Sequence, residues 1–395
     1  MDFKIFTTNI DDVALEQIHE LLNLGIFNNN KIRIMPDVHP GVGCVIGFTG
    51  NLGDKVIPNI VGVDIGCGML TVELGKIDIN LVKLDNFIKT QIPSGFDVYE
   101  KGYETNLDKY LDLKELYCYD YLNDKSRLKR SLGTLGGGNH FIEIDIDEDN
   151  NKYLVIHTGS RNLGKQVADY YQRLAINYCK GVSKEERQEL IDKLKAENRH
   201  KEISIKIHEL EEKRRSVNIP NHLCFLEGEN REKYLHDMKL CQYFASLNRK
   251  IIAMKIIHFL GINDLGNNFE TIHNYIDDEN MVRKGAISAR KGEKVLIPIN
   301  MRDGCIIGIG KGNEDWNYSA PHGAGRVMSR REAINNINMK EFIDSMKGIY
   351  TTTANINTID EAPMVYKPID EIINNICDTV EIVKIIKPIY NFKGF

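Results

Sequence analysis

"LGTLGGGNHFIEIDIDED", residues 132–149, and "KYLVIHTGSRNLGKQVADYYQRLA", residues 152–175, are the stretches from which the fold is read. Each sets a β-rich apolar run against a glycine turn, and the second reads strand, loop, helix. The same style occurs earlier, from Lys31 to Glu73, in "KIRIMPD", "GCVIGFTG" and "NIVGVDIGCGMLTVEL". It returns over residues 281–327. Residues 80–130 are more polar and helical in character. "SKEERQELIDKLKAENRHKEISIKIHELEEKRRS", residues 183–216, is dense in both signs of charge and reads as a solvated helical excursion without chemistry. A long helix is expected from about Glu232 to Leu260, its second half, "IIAMKIIHFL", apolar on most faces. "PIDEIINNICDTVEIVKIIKP", residues 368–388, reads as a final amphipathic helix. With no internal repeat or interdomain linker, the expectation is α+β: one intertwined domain over 1–395, with mixed sheets of short strands and peripheral helices.

Composition bounds the function classes. The 395 residues are 42% hydrophobic and 27% charged, the balance of a soluble globular protein able to bury a sizeable core. No basic segment followed by an apolar stretch opens the chain, and no apolar run approaches the roughly 20 residues that cross a bilayer, so a cytoplasmic location is expected. Eight cysteines without a CxxC pair argue against a zinc ribbon or a disulfide scaffold and suggest small core residues. A net charge of -5 means that any nucleic acid must be held by a local basic patch.

Chemistry-bearing side chains cluster at the turns. Asp64 and Cys67 lie in "VGVDIGCGM", His140 in "GGGNHFIE", His157 in "VIHTGSRNLG" and His273 in "TIHNYI", each at the end of a strand-like run. A thiolate, a carboxylate and three imidazoles form a set for one or two divalent ions such as manganese, zinc or iron. Of eleven histidines, five (His39, His140, His157, His273 and His322) fall in glycine- or asparagine-rich turns flanked by apolar runs. The glycine loops "TLGGGNHF", "HTGSRNLGKQ", "INMRDGCIIG" and "PHGAGR" offer backbone N–H groups to phosphate oxygens, with Arg161, Arg302 and Arg326 in or beside three of them. None matches a P-loop or a dinucleotide-binding fingerprint. His322, between Pro321 and Gly323, is presented by its turn rather than packed. Metal ligands, phosphate loops and a presented histidine together indicate chemistry at phosphorus.

The motifs "MPDVHPGVGCVIG", "VGVDIGCGM", "LGGGNHFIEI", "IHTGSRNLG", "HNYI", "HGAGR" and "DEAPMVYK" resemble, in order, those of the RtcB family of RNA ligases. The resemblance implies that family's α+β fold and a GTP- and manganese-dependent enzyme of RNA repair or tRNA splicing. Such an enzyme joins RNA ends bearing a 2',3'-cyclic phosphate or 3'-phosphate to 5'-hydroxyl ends. By the same resemblance His322 attacks the α-phosphate of GTP. Asp64 and His140 bind one Mn2+, His157 and His273 a second, and Cys67 bridges them, with zinc or other divalent ions as substitutes. Asn139, His140, Phe141, Ile142, Glu143, His273 and Asn274 line the nucleotide, as do Gly323, Ala324, Gly325 and Lys393, the Glu143 carboxylate facing the guanine N1 and N2 edge. The chain departs from the family pattern at Pro298-Ile299-Asn300-Met301, where Pro-Gly-Ser-Met is usual, and at Cys305, where a guanosine-contacting serine is common. Ala320 replaces a commoner serine in the His322 turn, and Ile272 stands where some members have histidine. Candidates for holding RNA are Arg161, Arg302, Arg326, Arg330 and Arg331. A manganese-dependent phosphodiesterase or nucleotidyltransferase is the alternative reading, and a non-catalytic RNA-end or ribosome-binding protein a third.

Overall fold

The computed structural model describes residues 2–26, 30–51, 53–101, 103–182, 184–215 and 218–395. The architecture is mixed α+β. Among these residues the widest sheet runs, from one edge to the other, Lys294–Asn300, Gly304–Gly310, Val380–Lys393, Phe141–Ile146, Lys152–Thr158, Gly68–Gly75 and Asn268–Ile272. These neighbours are all antiparallel, and Tyr350–Thr351 adds a short parallel strand beside Val380–Lys393. Alternation along the strands separates two cores. Leu70, Val72, Ile142, Ile144, Leu154 and Ile156 face Ile252, Ala253, Ile256 and Ile257 of the helix Gly228–Phe259. Met69, Phe141, Tyr153 and Val155 point the other way, toward Leu296, Cys305 and Ile307.

Register then decides where the chemistry sits. Gly68 lies opposite both Thr158 and Ile272, and Phe141 opposite both His157 and Lys393. Cys67, His140, His157 and His273 are therefore delivered to one end of four adjacent strands. A second sheet, ordered Asp2–Ile5, Lys31–His39, Ile46–Asn51, Met281–Lys284 and Tyr275–Ile276, supplies Asp37 and His39. Ser319–Pro321 pairs with Ala286–Ser288, so that His322 follows directly from an anchored strand.

The helix Gly228–Phe259 occupies nearly the expected span and carries two buried polar residues toward the sheet. Asn248 accepts from the backbone N–H groups of Gly133 (2.6 Å) and Thr134 (3.1 Å) and donates to the Thr134 carbonyl (3.0 Å). Arg249 donates to the carbonyls of Gly66 (2.9 Å) and Thr158 (2.8 Å) and pairs with Glu270 at 3.1 Å. The charged excursion forms two helices, Lys184–Ala196 and Ile203–Arg215; Ser183 and Ser216 lie outside the described residues. Of the free cysteines, Cys377 alone is exposed among the described residues. No helix of those residues is long and apolar enough to cross a membrane.

One expectation is overturned. Residues 368–388 are not one helix: the helix ends at Ile376, and Val380–Lys393 is a strand paired on both sides. Val380, Ile382, Val383, Ile385 and Ile386 are β-branched, and two strand partners reward an extended chain more than helical periodicity does.

Arg249 joins the helix to both loops beneath the site, so Arg249→Met should destabilise the protein by about 3 kcal/mol. Urea unfolding monitored by circular dichroism checks this; a loss below about 1 kcal/mol would mean that those carbonyls find other donors.

Candidate active site

The strand ends place four histidine rings in a row. Centroids of His140 and His157 are 5.3 Å apart, those of His157 and His273 5.3 Å, and those of His273 and His322 4.8 Å. Cys67 Sγ lies 3.5 Å from His140 Nε2 and 3.3 Å from His157 Nε2, and Asp64 Oδ2 lies 3.0 Å from His140 Nε2. Ligand atoms of Asp64, Cys67 and His140 fall within 4.8 Å of one another, as do those of Cys67, His157 and His273. The two clusters share the Cys67 sulfur.

The surroundings suit a cation. His140 Nδ1 meets the Leu135 carbonyl at 3.0 Å and His157 Nδ1 the Asn139 carbonyl at 3.2 Å, which fixes each ring with Nε2 toward Cys67. His273 Nδ1 is buried with no hydrogen-bond partner among the described residues, which leaves its lone pair open to a metal ion. Burial, with the charges of neighbouring histidines, holds His157 and His273 well below the usual imidazole range, in the neutral form that ligates. Burial and the Asp64 charge push the Cys67 thiol well up; a nearby divalent cation reverses that balance and stabilises the thiolate. Removal from water would raise Asp64, but the His140 hydrogen bond and charge hold it at about 2. The approach is close: a Cβ at Gly159 would stand 2.0 Å from Asp64 Oδ1.

His322 is half-buried and held by Asp37. Asp37 Oδ2 accepts from His322 Nδ1 at 2.6 Å and from the His322 backbone N–H at 3.0 Å, while the carboxylate is fully buried. That bond keeps the proton on Nδ1 and leaves the Nε2 lone pair available. Among the described residues Nε2 makes no hydrogen bond. Gly325, at φ +77°, allows the turn to pack on Asp37, whose carbonyl oxygen a Cβ there would approach to 2.6 Å.

The cleft before these groups is lined by Asn139, Phe141, Glu143 and Lys393 and by Pro298, Ile299, Asn300 and Met301, with Asn274, Gly323, Ala324 and Gly325 also in its lining. His140, Ile142 and Cys305 do not line it: His140 stands in the cluster with Asp64 and Cys67, Ile142 packs toward the long helix, and Cys305 is buried behind the wall with Leu296 and Ile307. Cys305 stands instead with Glu143 and Asp145 in a third cluster of potential ligand atoms. Asp145 is fully buried, and burial together with the Glu143 charge pushes its carboxyl well up against a contact with the Cys305 thiol. Glu143 accepts from Asn391 at 2.6 Å, and burial pushes it up to about 7 against the pull of Lys393.

Of the arginines, the fold brings Arg326 and Arg330 to the cleft and leaves Arg161, Arg302 and Arg331 off its wall. Arg161 binds the Gly95 carbonyl, Arg302 pairs with Asp303, and Arg331 is exposed on the helix Arg330–Asn336. Sequence reasoning gave no role to Asp37, Tyr366 and Glu361, while His39, one of the five turn histidines, lines the cleft. Buried Glu361 takes Lys393 at 2.9 Å, Arg330 at 2.7 Å, Arg326 at 3.3 Å and the Tyr366 hydroxyl at 2.6 Å. The acid in "MPD" and the acidic pair in "DEAP" were visible, but nothing local tied either to the cleft.

The site has the parts for nucleotidyl transfer: an oriented imidazole, two ligand clusters and a cationic wall. The family model for tRNA-splicing ligase RtcB matches residues 17–394. The RNA-splicing ligase RtcB of Escherichia coli K12 is 32% identical over 402 aligned positions, covering 92% of this chain and 90% of the relative. The tRNA-splicing ligase RtcB of Nanoarchaeum equitans is 27% identical, covering 86% of this chain and 83% of the relative. With its ordered motifs, its strand-end ligands and a match over nearly its whole length, the chain belongs to the RtcB family.

Proposed function

We infer that this RtcB-family RNA ligase joins an RNA end bearing a 2',3'-cyclic phosphate or 3'-phosphate to a 5'-hydroxyl end through a GMP carried on His322. The observation that carries the reading is His322 Nδ1 bound to Asp37 at 2.6 Å beside two ligand clusters that share Cys67. The relatives' names, RNA-splicing and tRNA-splicing ligase, support RNA as the substrate.

In the first step His322 Nε2 attacks the α-phosphorus of GTP. The N–P bond forms, the bond to the bridging oxygen breaks, and pyrophosphate leaves. Positive charge developing on the ring faces the Asp37 carboxylate, which stabilises it. An oxygen of the RNA 3'-phosphate then takes the GMP, breaking the N–P bond and returning His322 to its neutral form. A cyclic phosphate is first opened by water. Finally the 5'-hydroxyl attacks the activated phosphate, losing its proton, and GMP departs. Asp64 and His140 would hold one divalent ion, His157 and His273 another, and Cys67 both; bound there, manganese polarises phosphoryl oxygens and stabilises the leaving group. Lys393, fixed by Glu361 and lying 5.2 Å from the Phe141 ring centroid, places its charge on the nucleotide side of the cleft.

The deciding experiment is incubation with manganese and α-labelled GTP followed by denaturing electrophoresis. The full chain should carry label and His322→Ala none, while that variant loses no more than about 1–2 kcal/mol of stability. Label persisting on His322→Ala would remove the nucleophile from its role.

Cys67→Ser should lower the content of both metals together, since one thiolate serves both clusters and a serine hydroxyl is far harder to deprotonate. Metal analysis after gel filtration reads this; loss of a single ion argues against bridging.

Glu143 accepts from guanine only as the carboxylate, and its folded value is raised to about 7. Acceptor strength is thus complete above that value and lost as pH falls through it, so KM for GTP should rise several-fold between pH 7.5 and 6. Glu143→Gln should flatten this dependence and weaken the preference for GTP over ATP. An unchanged pH profile in that variant would show that guanine is read elsewhere.

A further inference from the structure

Phe96 is 92% exposed, the highest value among the exposed large apolar side chains of the described residues. An exposed ring is ordinary by itself; what sets this one apart is that its segment is held rigidly. Here the backbone is tied down. Leu135 donates to the Pro93 carbonyl (2.9 Å), Gly95 to the Gly136 carbonyl (2.9 Å) and Asp97 to the Ser94 carbonyl (3.0 Å). Arg161 donates to the Gly95 carbonyl at 3.0 Å and Arg127 to that of Phe96. The ring stands outward with little of the described residues packed over it.

Its place is the rim of the cleft. A Cβ at Gly95 would stand 2.1 Å from the Phe395 carbonyl oxygen, and one at Gly137 3.4 Å from Gly95 Cα and 3.7 Å from Phe395 Cα. Gly394 donates to the His140 carbonyl at 3.1 Å. Residues 93–97, 136–138 and 394–395 therefore meet as one surface of little but backbone, with Phe96 and the 51%-exposed Phe395 standing on it. Two of these segments run straight into the cleft wall, at Asn139 and Lys393.

Charge selects the occupant. Arg127 and Arg161 bind the shelf's own carbonyls, and Arg330, which lines the cleft, comes within 4.0 Å of a Cβ position at Gly138. Facing them are Asp97 on the shelf itself and the Asp360 and Glu361 partners of Arg330. Two separate rings among glycines and guanidinium groups offer a protein partner little continuous apolar area. They suit an unpaired base, which stacks on an aromatic face while its phosphate meets arginine.

We propose that Phe96, with Phe395 beside it, is a stacking shelf for the unpaired base at an RNA end, delivering that end to the cleft. The proposal rests on the RNA-ligase reading above. Its test therefore separates the two.

Two oligoribonucleotides carry 2-aminopurine at the terminal base, one at a 3'-phosphate end and one at a 5'-hydroxyl end, and each is titrated with the full chain in the presence of manganese. GMP labelling of His322 is followed in parallel. Fluorescence of one of the two should fall on binding, and which one identifies the strand that stacks. Phe96→Leu, apolar but without a π face, should abolish the change and weaken binding of that strand at least fivefold, whereas Phe96→Trp stays within twofold of the unaltered chain. Labelling should be equal in all three proteins. No fluorescence change with either oligonucleotide, or full binding by Phe96→Leu, overturns the shelf, and the second result marks the patch as a plain apolar contact for a protein partner. Loss of labelling in the unaltered chain strikes the ligase reading instead.

Discussion

Everything at the active site hangs on two consecutive buried residues of one helix. Asn248 and Arg249 contact no candidate ligand, yet they hold the backbone of the loops from which Cys67, His140 and His157 project. Loops rich in glycine are entropically costly to order. Fixing their carbonyls and N–H groups from beneath gives them the precision of regular structure while their outer surfaces stay open. The four-strand register does the rest, bringing residues from distant parts of the chain to one sheet end.

A second constraint is electrostatic. Glu361 is almost wholly buried, and burial alone would raise its carboxyl, but Lys393, Arg330 and Arg326 hold it at about 2. One anion thus gathers three cations along the cleft. With Asp360 also paired to Arg330, three positive side chains meet two carboxylates there. Glu143, which burial pushes up to about 7 against the pull of Lys393, stands as a further acid near the same lysine.

Much of this was legible in the sequence because it is written locally. Glycine turns followed by β-rich runs mark strand ends, and the ligand candidates sit at those ends; the long helix follows from its own apolar text. What could not be read depends on pairings between distant segments. Asp37 and His322 are separated by 285 positions, and no spacing rule connects them. Glu361 and its three cations come from three separate segments of the chain. Asn248 and Arg249 look like ordinary polar positions in a helix until the loops they bind are in view. Val380–Lys393 was misread because its apolar residues fit an amphipathic helix in isolation, and only the neighbouring strands favour extension. Arginines beside glycine loops were an incomplete guide to the cleft: several satisfy backbone carbonyls or near carboxylates instead.

That same strand has a bearing on how the protein is made. Val380–Lys393 lies between Gly304–Gly310 and Phe141–Ile146, both of which precede it in the chain. On a ribosome, the two halves of the sheet emerge with their inner edges bare and wait for a partner still to be translated. Unpaired edges of this kind invite pairing with other chains. Insertion of the last strand both seals the sheet and carries Lys393 into the cleft, so that assembly of the sheet and completion of the cleft wall are one event.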